Sequence, residues 1–85
     1  MMGWVPAEAF ILINSNPSLI WKIADAALKV KGVKMAHAVT GQFDNIVFAE
    51  FSNMEELAGI VDEIQAIRGV RRIQTLIAVP RPIRE

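Results

Sequence analysis

Val33-Lys34-Met35-Ala36-His37-Ala38-Val39-Thr40-Gly41-Gln42-Phe43-Asp44-Asn45-Ile46-Val47-Phe48-Ala49-Glu50-Phe51 reads as two strands joined by a short polar turn. In the first half Val33, Met35, His37 and Val39 alternate with Lys34, Ala36, Ala38 and Thr40, which is the period of two of a β-strand. The run from Ile46 to Phe51 is a second strand. A parallel connection needs a crossover of about a dozen residues or more, and the link here is far shorter. The pair is therefore an antiparallel hairpin.

Upstream, Glu8-Ala9-Phe10-Ile11-Leu12-Ile13-Asn14 is an aliphatic and aromatic run that stops at Asn14-Ser15-Asn16-Pro17. It is apolar at both parities, which predicts a strand buried on both faces. Asn16 or Ser15 can cap a helix with Pro17 in its first turn, and Leu19, Ile20, Ile23, Ala27 and Val30 then recur at helical spacing up to Gly32. Lys22, Asp25 and Lys29 make its solvated stripe, flanked by Trp21 and Leu28. These two read either as half-buried edge residues or as a contact for a partner.

Downstream, Ser52 or Asn53 caps a second helix, and with Ser52 at the cap Glu55 would complete a capping box. Leu57, Ile60, Val61, Ile64 and Ile67 form its apolar stripe and Gly69 ends it. Val70 to Val79 is the last strand, and Pro80 and Pro82 lead into an extended tail.

Strand, helix, strand, strand, helix, strand, joined by right-handed crossovers, is the α+β ferredoxin-like βαββαβ arrangement: a four-stranded antiparallel sheet with two helices on one face. One domain spans residues 1–85, with a core over about 8–79 and a tail over 80–85. The strands offer apolar side chains to both faces, Ile46 and Phe48 against Val47 and Phe51, Ile77 and Val79 against Leu76 and Ala78. The face without helices must meet something apolar, and a second copy is the simplest partner. A homodimer is expected.

Composition agrees: hydrophobic residues make up 53% of the chain even without its 5 glycines, more than one small domain readily hides. Nine basic and nine acidic residues cancel, so no field draws in nucleic acid or an anionic membrane, and neither is expected as a direct partner. The absence of cysteine removes thiol catalysis, disulfides and most structural zinc sites, and no metal or cofactor is expected. No basic residue precedes Lys22 and the apolar run Ala9–Ile13 is too short to span a bilayer. The expected location is cytoplasmic.

The hairpin tip carries the candidate chemistry. Gly41 can take a positive φ that exposes consecutive backbone N–H groups to a carboxylate, and Asp44 can accept hydrogen bonds from an ammonium. A zwitterion needs both. Glycine and aspartate are also ordinary turn formers, so chemistry alone leaves a plain turn open.

The same residues carry a resemblance. Gly32-Val33, Val39-Thr40-Gly41-Gln42-Phe43-Asp44, Glu55-Glu56-Leu57, and Gly69-Val70 followed by Thr75 resemble, in order and spacing, the effector-binding (RAM) domain of the Lrp/AsnC transcription regulators. The likeness runs from about Ala9 to Val79. It implies a dimeric α+β barrel packed sheet to sheet, assembled further into an octamer or similar ring, with an amino acid bound between dimers. Position by position it implies Thr40, Gly41, Gln42, Phe43, Asp44 and Thr75 as the ligand-binding region. Phe43 stands where tyrosine is frequent, and Ile73 where the first threonine of a Thr-x-Thr pair is often found. Full regulators carry a helix-turn-helix ahead of this domain; only about seven residues precede the first strand here. The resemblance is thus to stand-alone members, expected to bind an amino acid or to join full-length Lrp/AsnC regulators in mixed oligomers.

Other readings of the fold are weaker. A small dimeric α+β barrel enzyme of the monooxygenase type would have to use His37, the only histidine, and no second group at a useful spacing supports it. The expected activity is regulatory, not enzymatic. An RNA-recognition sheet would need a basic residue and exposed rings on the third strand, where Asp44-Asn45-Ile46-Val47 stands. ACT domains typically place a ligand glycine after the first strand, and Asn14-Ser15-Asn16-Pro17 has none. Arg68, Arg71 and Arg72 form the one basic cluster, either solvated element ends or a contact for an acidic surface.

Overall fold

The computed structural model describes residues 7–80, so the first six residues and the expected tail past Pro80 lie outside the described part. The chain forms β1 (Ala7–Ser15), a 3-10 turn (Pro17–Leu19), α1 (Ile20–Leu28), β2 (Val33–Ala38), β3 (Asn45–Phe51), α2 (Met54–Gln65) and β4 (Val70–Ile77). All neighbouring strands are antiparallel, in the order β2-β3-β1-β4. This is the ferredoxin-like βαββαβ arrangement that the element order predicts.

Register sorts the side chains. Ile11 lies opposite both Val47 and Thr75, and Ile13 opposite Asn45 and Ile73, so these residues share the face covered by the helices. There Ala9, Ile11, Ile13, Val47, Ala49 and Phe51 pack with Ile23, Ala27, Val30, Leu57, Ile60 and Ile64 in one buried cluster. Phe10, Leu12, Ile46, Phe48, Met35 and Leu76 point the other way by the same register, and no element of the chain covers them. Phe10 is 37% exposed, Leu76 44% and Met35 47%. The expectation that β1 is buried on both faces is thus corrected for the single chain: the helices cover one side. The rings of Phe10 and Phe48 pack on the open side with centroids 5.2 Å apart.

Local chemistry shifts several boundaries. Asn16 caps as expected, its Oδ1 accepting from Ser18 N at 3.0 Å, but Pro17 opens a 3-10 turn and α1 begins only at Ile20. Asn53, not Ser52, caps α2, so the third helical residue is Glu56 and not Glu55. Asn53 Oδ1 accepts from Glu56 N at 2.8 Å, and Glu56 Oε1 accepts from Ser52 N at 2.7 Å. Both helices end four residues before the expected glycine, at Leu28 and Gln65. The intervening residues make tight turns, with Val33 N donating to Val30 O and Val70 N to Ile67 O, each at 3.1 Å. Each reversal from helix to strand consumes those residues.

A register shift between Val33 and Met35 turns Val33 into the core while Met35 and His37 face the open side, so the alternation of β2 is broken by a bulge. Trp21, expected at a half-buried edge or a contact, is 70% exposed, and Leu28 is 48% exposed. No helix among the described residues is long and apolar enough to cross a membrane.

Candidate functional site

The hairpin is latched to the end of β1. Val39 N donates to Asp44 O at 2.9 Å and closes the loop, and Asp44 N donates to Ile13 O at 2.8 Å. The β1–β4 register shifts between Asn14 and Ser15, and there Ser15 N donates to Asp44 Oδ2 at 2.8 Å. Asn14 Nδ2 adds a bond to Gln42 O at 2.7 Å. Behind the latch Asn45, fully buried, donates through Nδ2 to Ile20 O at 3.0 Å and so ties the hairpin base to the start of α1. Its Oδ1 has no protein partner.

Gly41 sits at the tip with φ +120°, and a Cβ placed there would meet nothing within 4 Å. The backbone is therefore both in the conformation expected of it and open to approach. Beside the tip, Asn14, Gln42, Phe43, Arg72, Ile73 and Gln74 line a groove of about 420 Å³. That size suits a small metabolite. The lining brings a guanidinium and three amide side chains together with the Phe43 ring. Asn14 and Arg72 are directly opposed across β1 and β4, which is why residues so far apart in sequence meet here.

Of the residues expected from sequence, Gln42 and Phe43 line this groove, whereas Thr40 and Gly41 are exposed in the hairpin loop and do not line it. Asp44 is half-buried and one of its carboxylate oxygens is taken by Ser15 N. Thr75 lies elsewhere: it pairs with Ile11 on the helix-covered face and does not line the groove. Asn14 and Gln74 are groove residues that sequence reasoning does not single out, and it picks out Arg72 only as part of the basic cluster with Arg68 and Arg71. Their only signal is the β1–β4 register, since polar residues on a strand are otherwise unremarkable.

His37 lies opposite Ile46, exposed, on the face that also carries Met35 and Phe48. Its open-face surroundings within the chain are apolar, and no acid or base is paired with it among the described residues. Nor is any group of three His, Cys, Asp or Glu among them placed to hold a metal ion.

The Lrp/AsnC ligand binding domain family matches residues 8–85. An uncharacterized HTH-type transcriptional regulator of Pyrococcus abyssi is 34% identical over 74 residues, covering 82% of this chain and 49% of that protein. The chain thus spans about half the length of the curated relatives it matches. Among solved structures, TTHA0845 from Thermus thermophilus superposes with a TM-score of 0.84 at 26% identity, covering 92% of this chain and 99% of its own. The regulator NMB0573 of Neisseria meningitidis, solved as an L-Met complex, shares the fold at a TM-score of 0.76 and 20% identity, with 94% of this chain and 58% of its own covered. A latched hairpin on this sheet, a match along nearly the whole length and a regulator a third identical agree, and the chain belongs to the Lrp/AsnC ligand-binding domain family, a regulatory and non-enzymatic one.

Proposed function

We propose that this chain binds a free amino acid in the groove beside the Thr40–Asp44 hairpin and passes that binding on as a change of assembly. The observation that carries the reading is the open tip at Gly41 beside a polar groove held in shape by the Asp44 latch. The open backbone at Gly41 would suit the ligand carboxylate, and the side chains of Asn14, Gln42, Arg72 and Gln74 would supply the remaining polar contacts. Relatives of this fold carry L-Met in their solved complexes, which supports an amino acid as ligand.

The uncovered sheet face supports the second half. Phe10, Leu12, Ile46, Phe48, Met35 and Leu76 form one apolar surface, which a second copy would cover to give a homodimer, with rings of dimers such as octamers built on it. In the cell the chain would sense an amino acid in the cytoplasm, or join full-length Lrp/AsnC regulators and alter their DNA binding.

A thermal-shift screen of the standard amino acids at fixed protein concentration tests the reading. At least one should raise the melting temperature or change the sedimentation coefficient. Arg72→Ala, an exposed groove residue, should remove the response and leave the unliganded melting temperature in place. Silence from every amino acid would leave the hetero-oligomer role as the better account.

A further inference from the structure

Among the described residues, the large apolar side chains that the helices leave exposed are Trp21, Leu28 and Met54, the last 62% exposed. They sit on the two outer flanks of the helical layer. A Cβ at Gly69 would lie 3.4 Å from Ile23 Cδ1, so Ile23 is on the flank of α1 turned toward the start of β4. Trp21 and Leu28 stand two residues before and five after Ile23, about 160° and 140° around the helix from it. That puts them on the other flank, over the free edge of β2. On α2, a Cβ at Gly32 would lie 2.8 Å from Ile60 Cδ1, so Ile60 is on the flank turned toward α1. Met54, Ala58, Val61 and Gln65 lie about 100–160° around from Ile60, over the free edge of β4.

Both flanks have the spacing of helix seams. Trp21, Ala24 and Leu28 follow one another by three and four residues; Met54, Ala58, Val61 and Gln65 follow by four, three and four. Alternating steps of three and four are what lets one helix seat its side chains between those of another. Yet the two seams lie at opposite edges of the layer and cannot meet within one chain. Their directions are complementary too. α1 runs against β1, from its end back to the start of β2, and α2 runs along β1, from the end of β3 to the start of β4.

We propose that the Trp21–Leu28 seam of α1 packs into the Met54–Gln65 seam of α2 in a second copy of this chain, and that the contact is made twice. The inference rests on the sheet-to-sheet homodimer proposed above, and it fixes how that dimer is oriented. A two-fold axis along the strands lays the uncovered faces on each other and brings the β2 side of each copy beside the β4 side of the other. The helices then meet antiparallel. With Leu28 seated between Met54 and Ala58, Ala24 falls between Ala58 and Val61, and Trp21 between Val61 and Gln65. The small side chain of Ala58 leaves room for Leu28, and the exposed indole gains the cover that the single chain denies it.

Fluorescence and cross-linking of the full chain test this beside sedimentation. The chain has 2 tryptophans, so Trp4→Phe leaves Trp21 as the single indole. As protein concentration rises and the mass doubles, Trp21 emission should move to the blue and acrylamide quenching should fall at least threefold. Trp21→Ala and Ala58→Glu, both at exposed positions, should each weaken the dimer at least tenfold with unchanged far-UV circular dichroism. The chain has no cysteine, so Leu28→Cys chains mixed with Ala58→Cys chains and oxidised with diamide should give a disulfide-linked dimer. Glu63→Cys, on the inner flank of α2, should not link to Leu28→Cys. A chain that stays monomeric at every concentration overturns the sheet-face dimer and this seam together. A dimer in which Trp21 stays as quenchable as in the monomer overturns the seam alone. So does a dimer that forms no link between positions 28 and 58, or one that Trp21→Ala and Ala58→Glu leave intact.

Discussion

Asp44→Ala should destabilise the ligand-free protein substantially, because the carboxylate holds the hairpin to β1. The residue it deserts is Ser15, only 4% exposed, whose N–H donates to Asp44 Oδ2 at 2.8 Å where the β1–β4 ladder shifts register. Hydrogen bonds to charged acceptors contribute about 1.5–3 kcal/mol, and a buried donor left without a partner costs a similar amount. Taking about 2 kcal/mol, and about 4–8 °C per kcal/mol for a domain of this size, the melting temperature should fall by roughly 8–16 °C. Asp44→Asn keeps a carbonyl acceptor and loses only the charge, so its loss should stay under about 1 kcal/mol. Urea denaturation of the two variants and the wild type must use one protein concentration, because association shifts apparent stability. If Asp44→Ala stays within about 0.5 kcal/mol of the wild type, or Asp44→Asn is as damaging as Asp44→Ala, the latch argument is wrong. If the expected ranking is seen, a lost ligand response in Asp44→Ala says nothing about ligand contact, and Arg72→Ala is the variant to use for that question.

Phe48→Glu places a carboxylate in the middle of the uncovered sheet face; sedimentation should show a monomer with unchanged far-UV circular dichroism, and an unchanged mass would sink the face-to-face dimer. Asn53→Ala removes the α2 cap that accepts from Glu56 N at 2.8 Å, and should lower stability by about 1 kcal/mol in chemical denaturation. Ile64→Ala opens a cavity at a residue with no exposed surface and should cost about 2–5 kcal/mol, a large share of the roughly 5–15 kcal/mol a small domain possesses. A loss under about 1 kcal/mol would mean that α2 is not seated on the sheet as described.

Strand and helix positions were legible because each is written in periodicity: the paired runs around Thr40–Asn45, the 3.6-residue stripes of Ile23 and Ala27 and of Leu57, Ile60 and Ile64. The apolar outer face was legible too, since Phe48 and Val47 alternate on one strand and both are hydrophobic. What stayed hidden is what depends on contacts across the chain. Asp44 and Ser15 are 29 residues apart, and nothing local says that a carboxylate will satisfy that N–H. The Val33 bulge is equally invisible, because an unbroken alternation from Val33 to Val39 looks like a regular strand until pairing with β3 exposes the extra residue. Thr75 follows the same logic: its distance from the hairpin follows from the β1–β4 register, which places it beside Ile11. Asn14 and Arg72 meet for that reason as well, and so the groove has a lining no motif names.

The position of that groove says how ligand and assembly can be linked. Asn14, Arg72 and Gln74 lie on strands whose neighbouring same-side residues, Leu12 and Leu76, belong to the uncovered apolar face. Any second copy that covers Phe10, Leu12, Phe48 and Leu76 therefore comes to rest against the groove. On the proposed reading, a ligand held there by one chain would also meet the other and would bind the assembled state more tightly than the free one. The effect on assembly is bounded by that difference: a ligand that binds only the associated form favours it by about 2.7 kcal/mol per site at a hundredfold excess over its dissociation constant, and a ligand with equal affinity for both states moves nothing. The physical requirement is only that the residues completing the groove and the residues hidden by association be neighbours on one sheet face, as they are here.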